Sequence, residues 1–255
     1  MPKTTVNVVC MKWGTMYDGP YVNNLYSMVQ RHLTIPHRFV CFTDNSAGFL
    51  RGIESFPLPA PDLMGGGRFG SWNKLALFAP KLADLQGPTL FLDLDLIVVS
   101  NIDCLFQYQP GQFCIIHDWS RTHEGNSSVF RFEAGKHADL LEYFLTHQDE
   151  VRNNFRSDQS FLTAKLQAAG KLRYWPDDWC CSFKRHCLPK WPIQWFTTAK
   201  LSPKSKVVVF HGRPKPPDAV HGMRNKFRLI RPVPWVQEHW HSQEFLANQP
   251  LARSA

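Results

Sequence analysis

The stretch Phe91-Leu92-Asp93-Leu94-Asp95-Leu96-Ile97-Val98-Val99 constrains the chain more than any other. Seven of its nine residues are apolar, and three of the last four are β-branched. That pattern predicts a strand buried on both faces of a sheet. Two carboxylates interrupt it at i and i+2, and on a strand residues two apart point the same way. A buried carboxylate pair is unfavourable unless something neutralises it. A divalent cation at the sheet edge is the simplest partner, and oxygen ligands suit Mg²⁺ or Mn²⁺. The alternative is that Asp93 and Asp95 close a strand end and accept hydrogen bonds from loop amides.

Before this stretch the chain alternates strand and helix. Residues 6–11 are near-continuously apolar, 21–32 carry apolar residues at helical spacing, and 38–43 form a second apolar run. Strand, helix, strand predicts a mostly parallel α/β sheet flanked by helices. Ligands of such sheets sit beyond the carboxyl ends of the strands. Lys12 and Asp44 both fall there. Asp44 either accepts from a base or ribose hydroxyl or caps a turn with Asn45 and Ser46. Residues 57–67 are rich in Pro and Gly and end in three glycines, which predicts a lid or a plain linker. Ser71 is placed to cap a helix over 71–78. Lys74 then lies in the first turn, the wrong end for a cation, so it either meets an anion or is solvated.

After the D-x-D stretch, 113–116 and 129–132 read as strands joined by a polar loop containing Asn126. Residues 136–154 read as one amphipathic helix. Ser157-Asp158-Gln159-Ser160 opens another, where Asp158 also complements the helix dipole. Residues 175–195 hold four tryptophans with Cys180, Cys181, His186 and Cys187, in a spacing that matches no common zinc pattern. The strand over 207–210 runs into His211-Gly212-Arg213-Pro214-Lys215-Pro216. An imidazole that suits Mn²⁺, a glycine that permits close approach and a lysine point charge fit a metal-bound diphosphate.

The 255 residues, 44% of them hydrophobic, suffice for one large domain with a small extension, here 1–217 and 218–255. No run of 18 apolar residues exists, the N-terminus lacks a signal-peptide layout, and seven cysteines lie mostly in apolar runs. Reduced core thiols in a cytoplasmic protein are expected. The formal charge of +8 suits a polyanionic partner: nucleic acid, an acidic membrane face or a phosphorylated substrate. From Arg213 onward cations alternate with Phe227, Trp235 and Trp240, a composition suited to an anionic membrane surface; nucleic acid could use the same chemistry.

Three segments in order carry a resemblance. Phe91–Asp95 resembles the D-x-D metal motif of GT-A-fold glycosyltransferases. Ser157-Asp158-Gln159 resembles the D-Q segment of their retaining, family-8-like group, which includes bacterial lipopolysaccharide galactosyltransferases and glycogenin. The segment 211–216 is similar to that group's late H-x-G-x-x-K-P signature, except that His and Gly are adjacent here. The resemblance runs from the first strand to about Lys215. It implies a GT-A (Rossmann-like) mixed, mostly parallel sheet and a nucleotide-sugar donor, a UDP-hexose. It implies a glycan or glycolipid acceptor in cell-surface polysaccharide or lipopolysaccharide synthesis, and nucleic acid is not the expected partner. Mn²⁺ or Mg²⁺ would be held by Asp93, Asp95 and His211. Gly212, Lys215 and Lys74 would face the diphosphate, and Lys12 and Asp44 the nucleoside. Asn126 and Asp158 would hold sugar hydroxyls, and Gln159 would face the anomeric carbon. Retention, and a place on the inner face of the cytoplasmic membrane, follow from the same likeness. Two rivals use the same residues differently. A haloacid-dehalogenase-like phosphatase would use Asp93 as nucleophile, Asp95 as acid and Asp177-Asp178 as its later acidic motif. A non-enzymatic binder of anionic surfaces would explain the charge alone.

Overall fold

The first strand, β1 (Val6–Lys12), is buried along its whole length, and its alternate residues serve two different cores. Val8 and Cys10 pack on one face of the sheet, and Val9 and Met11 on the other. A strand covered on both faces has no solvent side, so its sequence shows no polar alternation. The computed structural model describes residues 5–60, 63, 67–190, 192–225 and 228–243.

Helix α1 (Gly19–His32) has Pro20 in its first turn, where the missing N–H has no intrahelical partner to lose. It returns the chain to β2 (His37–Thr43), which pairs parallel with β1 so that Lys12 lies opposite Thr43. The short β3 (Glu54–Phe56) adds to β2, and β4 (Pro88–Leu92) pairs with the other edge of β1. Beyond β4 come β6 (Phe113–His117), β7 (Gly125–Glu133) and β8 (Leu172–Tyr174), which complete a seven-stranded sheet in the order β3-β2-β1-β4-β7-β6-β8. Only β7 runs antiparallel to its neighbours. A second sheet is built from β5 (Leu96–Val98), β9 (Cys180–Ser182) and β10 (Val207–Val209), with β10 in the middle.

This second sheet corrects the expected strand. Residues 91–99 do not form one continuous strand: β4 ends at Leu92, β5 starts at Leu96, and Asp93-Leu94-Asp95 is the bend between them. The apolar pattern holds because both flanking halves are buried, each in a different sheet. Strand alternation therefore does not orient the two carboxylates.

Two helical expectations change as well. Gly67–Phe78 is a 12-residue 3₁₀ segment instead of an α-helix capped at Ser71. Runs of that length are uncommon. Trp72 to Phe78 is buried at every position, Asn73 and Lys74 included. The expected helix over 136–154 is two helices, α3 (Ala138–Thr146) and α4 (Gln148–Asn154), broken at His147, whose N–H is shared between the Tyr143 and Phe144 carbonyls. Helix α5 (Asp158–Ala168) starts as expected, with Ser160 Oγ accepting from the Ser157 amide. The short α2 (Asp103–Gln107) is held by Arg131, a fully buried guanidinium that donates to the carbonyls of Leu105, Phe106 and Gln109.

The C-terminal segment packs on the same core as β5 and α1. Helices α6 (Pro216–His221) and α7 (Pro234–His239), with the hairpin β11 (Met223–Asn225) and β12 (Arg228–Ile230), contribute Ala219, Ile230, Val233 and Val236 to it. Trp235 Nε1 donates to the Ala199 carbonyl, and Trp240 meets Tyr21 edge-on. These indoles are used in packing. Lys226, Phe227 and residues 61, 62 and 64–66 of the glycine-rich lid or linker segment lie outside the described residues. No helix among the described residues is long and apolar enough to cross a membrane.

Candidate functional site

The bend at 93–95 sits where β4 leaves the large sheet and the chain crosses to the small one. Backbone bonds pin it from both sides. The Asp93 amide donates to the Ser128 carbonyl at 2.9 Å, and the Phe210 amide donates to the Asp95 carbonyl at 2.9 Å. Val209 lies opposite Leu96, so the antiparallel pairing delivers His211 beside the D-x-D bend.

Each carboxylate has its own lysine. Lys74 Nζ donates to Asp93 Oδ2 at 2.8 Å and to the Ser127 carbonyl at 3.0 Å. Burial opposes the Lys74 charge, but Asp93 and Asp158 more than offset it and hold the ammonium above its usual range. Lys74 is thus not solvated but held against an anion, the Asp93 carboxylate, to which its 3₁₀ segment delivers it. Burial pushes the Asp93 carboxyl up to about 6, Lys74 pulls it down, and the neighbouring Asp95 pushes it up again. Lys215 Nζ and the Tyr17 hydroxyl both donate to Asp95 Oδ2, the latter at 3.0 Å, and Lys215 also donates to Tyr17 at 2.7 Å. Burial first, then Asp95 and Asp93, push the Tyr17 phenol well up, so it stays a protonated donor. Ser127 Oγ donates to Asp158 Oδ2 at 2.7 Å, and Asp158 is almost fully buried.

The remaining predicted residues form neighbouring groups. Lys12 Nζ donates to the Asn45 carbonyl at 3.2 Å and lies 3.8 Å from Asp44, which accepts from the Gly14 amide at 2.8 Å. Asp44 thereby ties down the loop after β1 rather than its own turn. It lines an open cleft of about 450 Å³ with Thr43, Phe56 and Leu58 at the ends of β2 and β3. Asn126 donates to Asp118 at 3.2 Å, and Asp118 also accepts from the amides of Ser120 and Arg121. Gln159, half-buried, occupies the second position of α5. Gly212 has φ +68°, in the left-handed region, and a β-carbon there would lie 3.1 Å from Lys184 Nζ.

His211, the third expected ligand, has partners of its own in this structure. Its Nε2 shares a 2.7 Å hydrogen bond with Ser182 Oγ, and its ring stacks on Trp119 with centroids 5.7 Å apart. Burial and the cations Lys184 and Arg185 lower its basicity. Among the described residues no three His, Cys, Asp or Glu side chains converge on a metal position. Asp93 and Asp95 nonetheless have the donor chemistry of a hard-cation site: two neighbouring carboxylates, Asp95 close enough to raise Asp93, each countered by an ammonium.

Four participants were not singled out from the sequence: Tyr17, Trp119, Asp118 and Ser182. Tyr17 and Trp119 lie in loops after apolar strands, which is a signal that could have flagged them. Nothing local distinguishes Ser182, which reaches His211 only because β9 lies next to β10.

Sequence comparison finds no matching family model and no matching curated protein. Comparison of structures does find relatives. The galactosyltransferase LgtC, solved with donor and acceptor sugar analogues, superposes with a TM-score of 0.58 at 14% identity, over 82% of this chain and 88% of that one. The apo glycosyltransferase GlyE of Streptococcus pneumoniae TIGR4 gives 0.63 at 14% identity, over 93% of this chain and 60% of its own. Mouse xyloside xylosyltransferase 1 gives 0.52 at 15% identity, over 82% and 98%. The chain has the GT-A fold that the three motifs predicted.

Proposed function

We propose that the protein is a glycosyltransferase that moves a sugar from a nucleotide-diphosphate donor to a glycan acceptor. The observation that carries this reading is the paired-carboxylate bend at 93–95, flanked by Lys74 and Lys215, at the carboxyl ends of the strands of a GT-A sheet. Asp93 and Asp95 would hold Mn²⁺ or Mg²⁺, which when bound supplies neutralisation for the charge of a departing diphosphate. Lys74 and Lys215, relieved of the carboxylates, are then positioned to meet phosphate oxygens. Tyr17 remains a donor at neutral pH and orients Lys215. Asp44, on the cleft at the ends of β2 and β3, and Lys12 beside it face the nucleoside. Asn126 and Asp158 orient sugar hydroxyls, and Gln159 lies toward the reacting carbon.

The finer reading is a UDP-hexose, transfer with retention, and a cell-surface glycan or lipopolysaccharide acceptor. It rests on the D-Q and late-motif likeness. The basic C-terminal segment adds an anionic membrane face as a docking partner, although its indoles are taken up in packing. The phosphatase rival loses its acidic motif: Asp177 pairs with His117 at 3.2 Å and Asp178 with Lys204 at 3.3 Å, not with the D-x-D carboxylates.

Thermal stabilisation by a panel of nucleotide sugars, with and without Mn²⁺, tests the proposal. A nucleotide sugar is expected to raise Tm only with Mn²⁺ present, and Asp95→Asn, which leaves Lys215 without its carboxylate and lowers the unliganded Tm, is expected to abolish that rise. A metal-independent response, or an unchanged response in Asp95→Asn, overturns the assignment.

A further inference from the structure

Two thiols lie beneath the late motif without any part in the chemistry above. Cys181 Sγ and Cys187 Sγ are 3.9 Å apart, and Ser205 Oγ donates to Cys181 Sγ at 3.3 Å. The other five cysteines differ. Cys10 and Cys41 are enclosed in the sheet core, and Cys114 and Cys180 are also fully buried. Cys104 is half-exposed. Cys181 lines a cleft of about 400 Å³ bounded by His117, Trp119, Asp178, His186 and Ser205.

The short segment between the two sulfurs touches the late motif twice and the ring packed against it once. Ser182 bonds to His211 Nε2 at 2.7 Å. Lys184 Nζ approaches Gly212. His186, on the π-helical turn Phe183–Cys187, meets the edge of Trp119, the ring on which His211 stacks. A disulfide needs sulfurs about 2 Å apart, so closure draws the sulfurs together by about 2 Å and displaces this segment.

We propose that Cys181 and Cys187 form a reversible thiol–disulfide pair, entered through the cleft and coupled through Ser182 to His211 and Gly212. The oxidant class is a small disulfide such as oxidised glutathione. The Cys181 thiolate attacks one sulfur of that disulfide, forms a mixed disulfide and expels a thiolate, which takes up the proton Cys181 gave up. Cys187 then loses its proton and attacks Cys181 Sγ, expelling the second glutathione as a thiol. Two protein thiols are oxidised by two electrons, and one disulfide is reduced to two thiols. Hydrogen bonds from Cys187 and Ser205 lower the Cys181 thiol against the opposing effect of burial, which fits its role as the attacking sulfur. The consequence for the site rests on the function proposed above; the thiol chemistry does not.

The full-length protein is equilibrated in buffers of graded reduced to oxidised glutathione, quenched by alkylation and mapped by mass spectrometry. A peptide linking Cys181 to Cys187, two hydrogens lighter, is expected before any other thiol reacts, and dithiothreitol is expected to restore both. Cys187→Ser is expected to stop at a persistent glutathione adduct on Cys181. Modification of Cys104 first, or no link between Cys181 and Cys187, overturns the pair. UDP binding with Mn²⁺, followed by Tm, is expected to weaken about tenfold in the oxidised protein; equal binding by both forms overturns the coupling. If the reduced protein does not bind UDP at all, the glycosyltransferase reading fails while the mapped disulfide stands or falls by itself.

Discussion

At the scale of single residues, the site is a pair of acids each neutralised by an internal lysine. The Asp93–Lys74 pair is mostly enclosed, with the Asp93 side chain 22% and the Lys74 side chain 11% exposed. Removing one member of such a pair leaves an uncompensated charge, which costs about 3–5 kcal/mol, whereas removing both is close to neutral. Lys74→Met should therefore destabilise the fold by about that amount in urea melts, and adding Asp93→Asn should recover most of the loss. A double variant no more stable than the single one would show that Lys74 acts through packing on Phe91 instead. The same carboxylate sets a pH dependence. Asp93 is held up at about 6 in the folded protein, and a metal ligand must be deprotonated. Mn²⁺ affinity should fall as pH drops through about 6, and level off above it. Mn²⁺ titrations by calorimetry between pH 5 and 7.5 read this directly, and a flat profile would remove Asp93 from the ligand set.

At the scale of elements, the register of β6 and β7 aims the polar loop at the site. Their pairing slips between Ile115 and Ile116, opposite the start of β7. Gly125 stands at that point, where a β-carbon would lie 2.8 Å from Ile115 Cγ2. The slip lets β7 begin tightly against Ile115 and places Asn126, Ser127 and Ser128 beside Asp118, Asp158 and Asp93. Gly125→Ala should destabilise by about 1–3 kcal/mol through overpacking, and should also weaken nucleotide-sugar binding. The check is a chemical melt paired with a Tm shift; loss of stability alone would confine the glycine to packing. The strands at 6–11 and 38–43 were legible because both faces of the sheet are covered and most positions are apolar. The break at 93–95 was not, because a chain passing between two buried sheets stays apolar on both sides. The 3₁₀ segment was illegible for a related reason: its buried Lys74 looks like a surface residue until its partners Asp93 and Ser127, 19 and 53 positions away, are known.

At the scale of the whole molecule, stability should be acid-sensitive. Burial lowers the basicity of His32, His37, His137, His186, His211 and His239, with His32 lowered to about 4. The Nε2 of His32 is buried without a hydrogen-bond partner among the described residues. A histidine depressed in the folded state is protonated first in the unfolded chain. Stability is therefore full above the unfolded value of 6.5 and is lost as pH falls from there toward 4. With solvent screening of a half-exposed ring, His32 contributes about 1 kcal/mol of that loss. Tm measured from pH 7.5 to 4.5 should decline below 6.5, and His32→Gln should decline less. An equal decline would place the sensitivity in the other histidines.

The sequence by itself determined the α/β class, the order of its main strands and the identity of the three motifs, because burial pattern and residue chemistry are written locally. Tertiary structure decided the rest. It set which lysine neutralises which carboxylate, that Tyr17 joins Asp95, and that His211 rests on Ser182 and Trp119. These are contacts between residues 19 to 120 positions apart, and their distances depend on sheet order and register, which no single stretch of chain encodes.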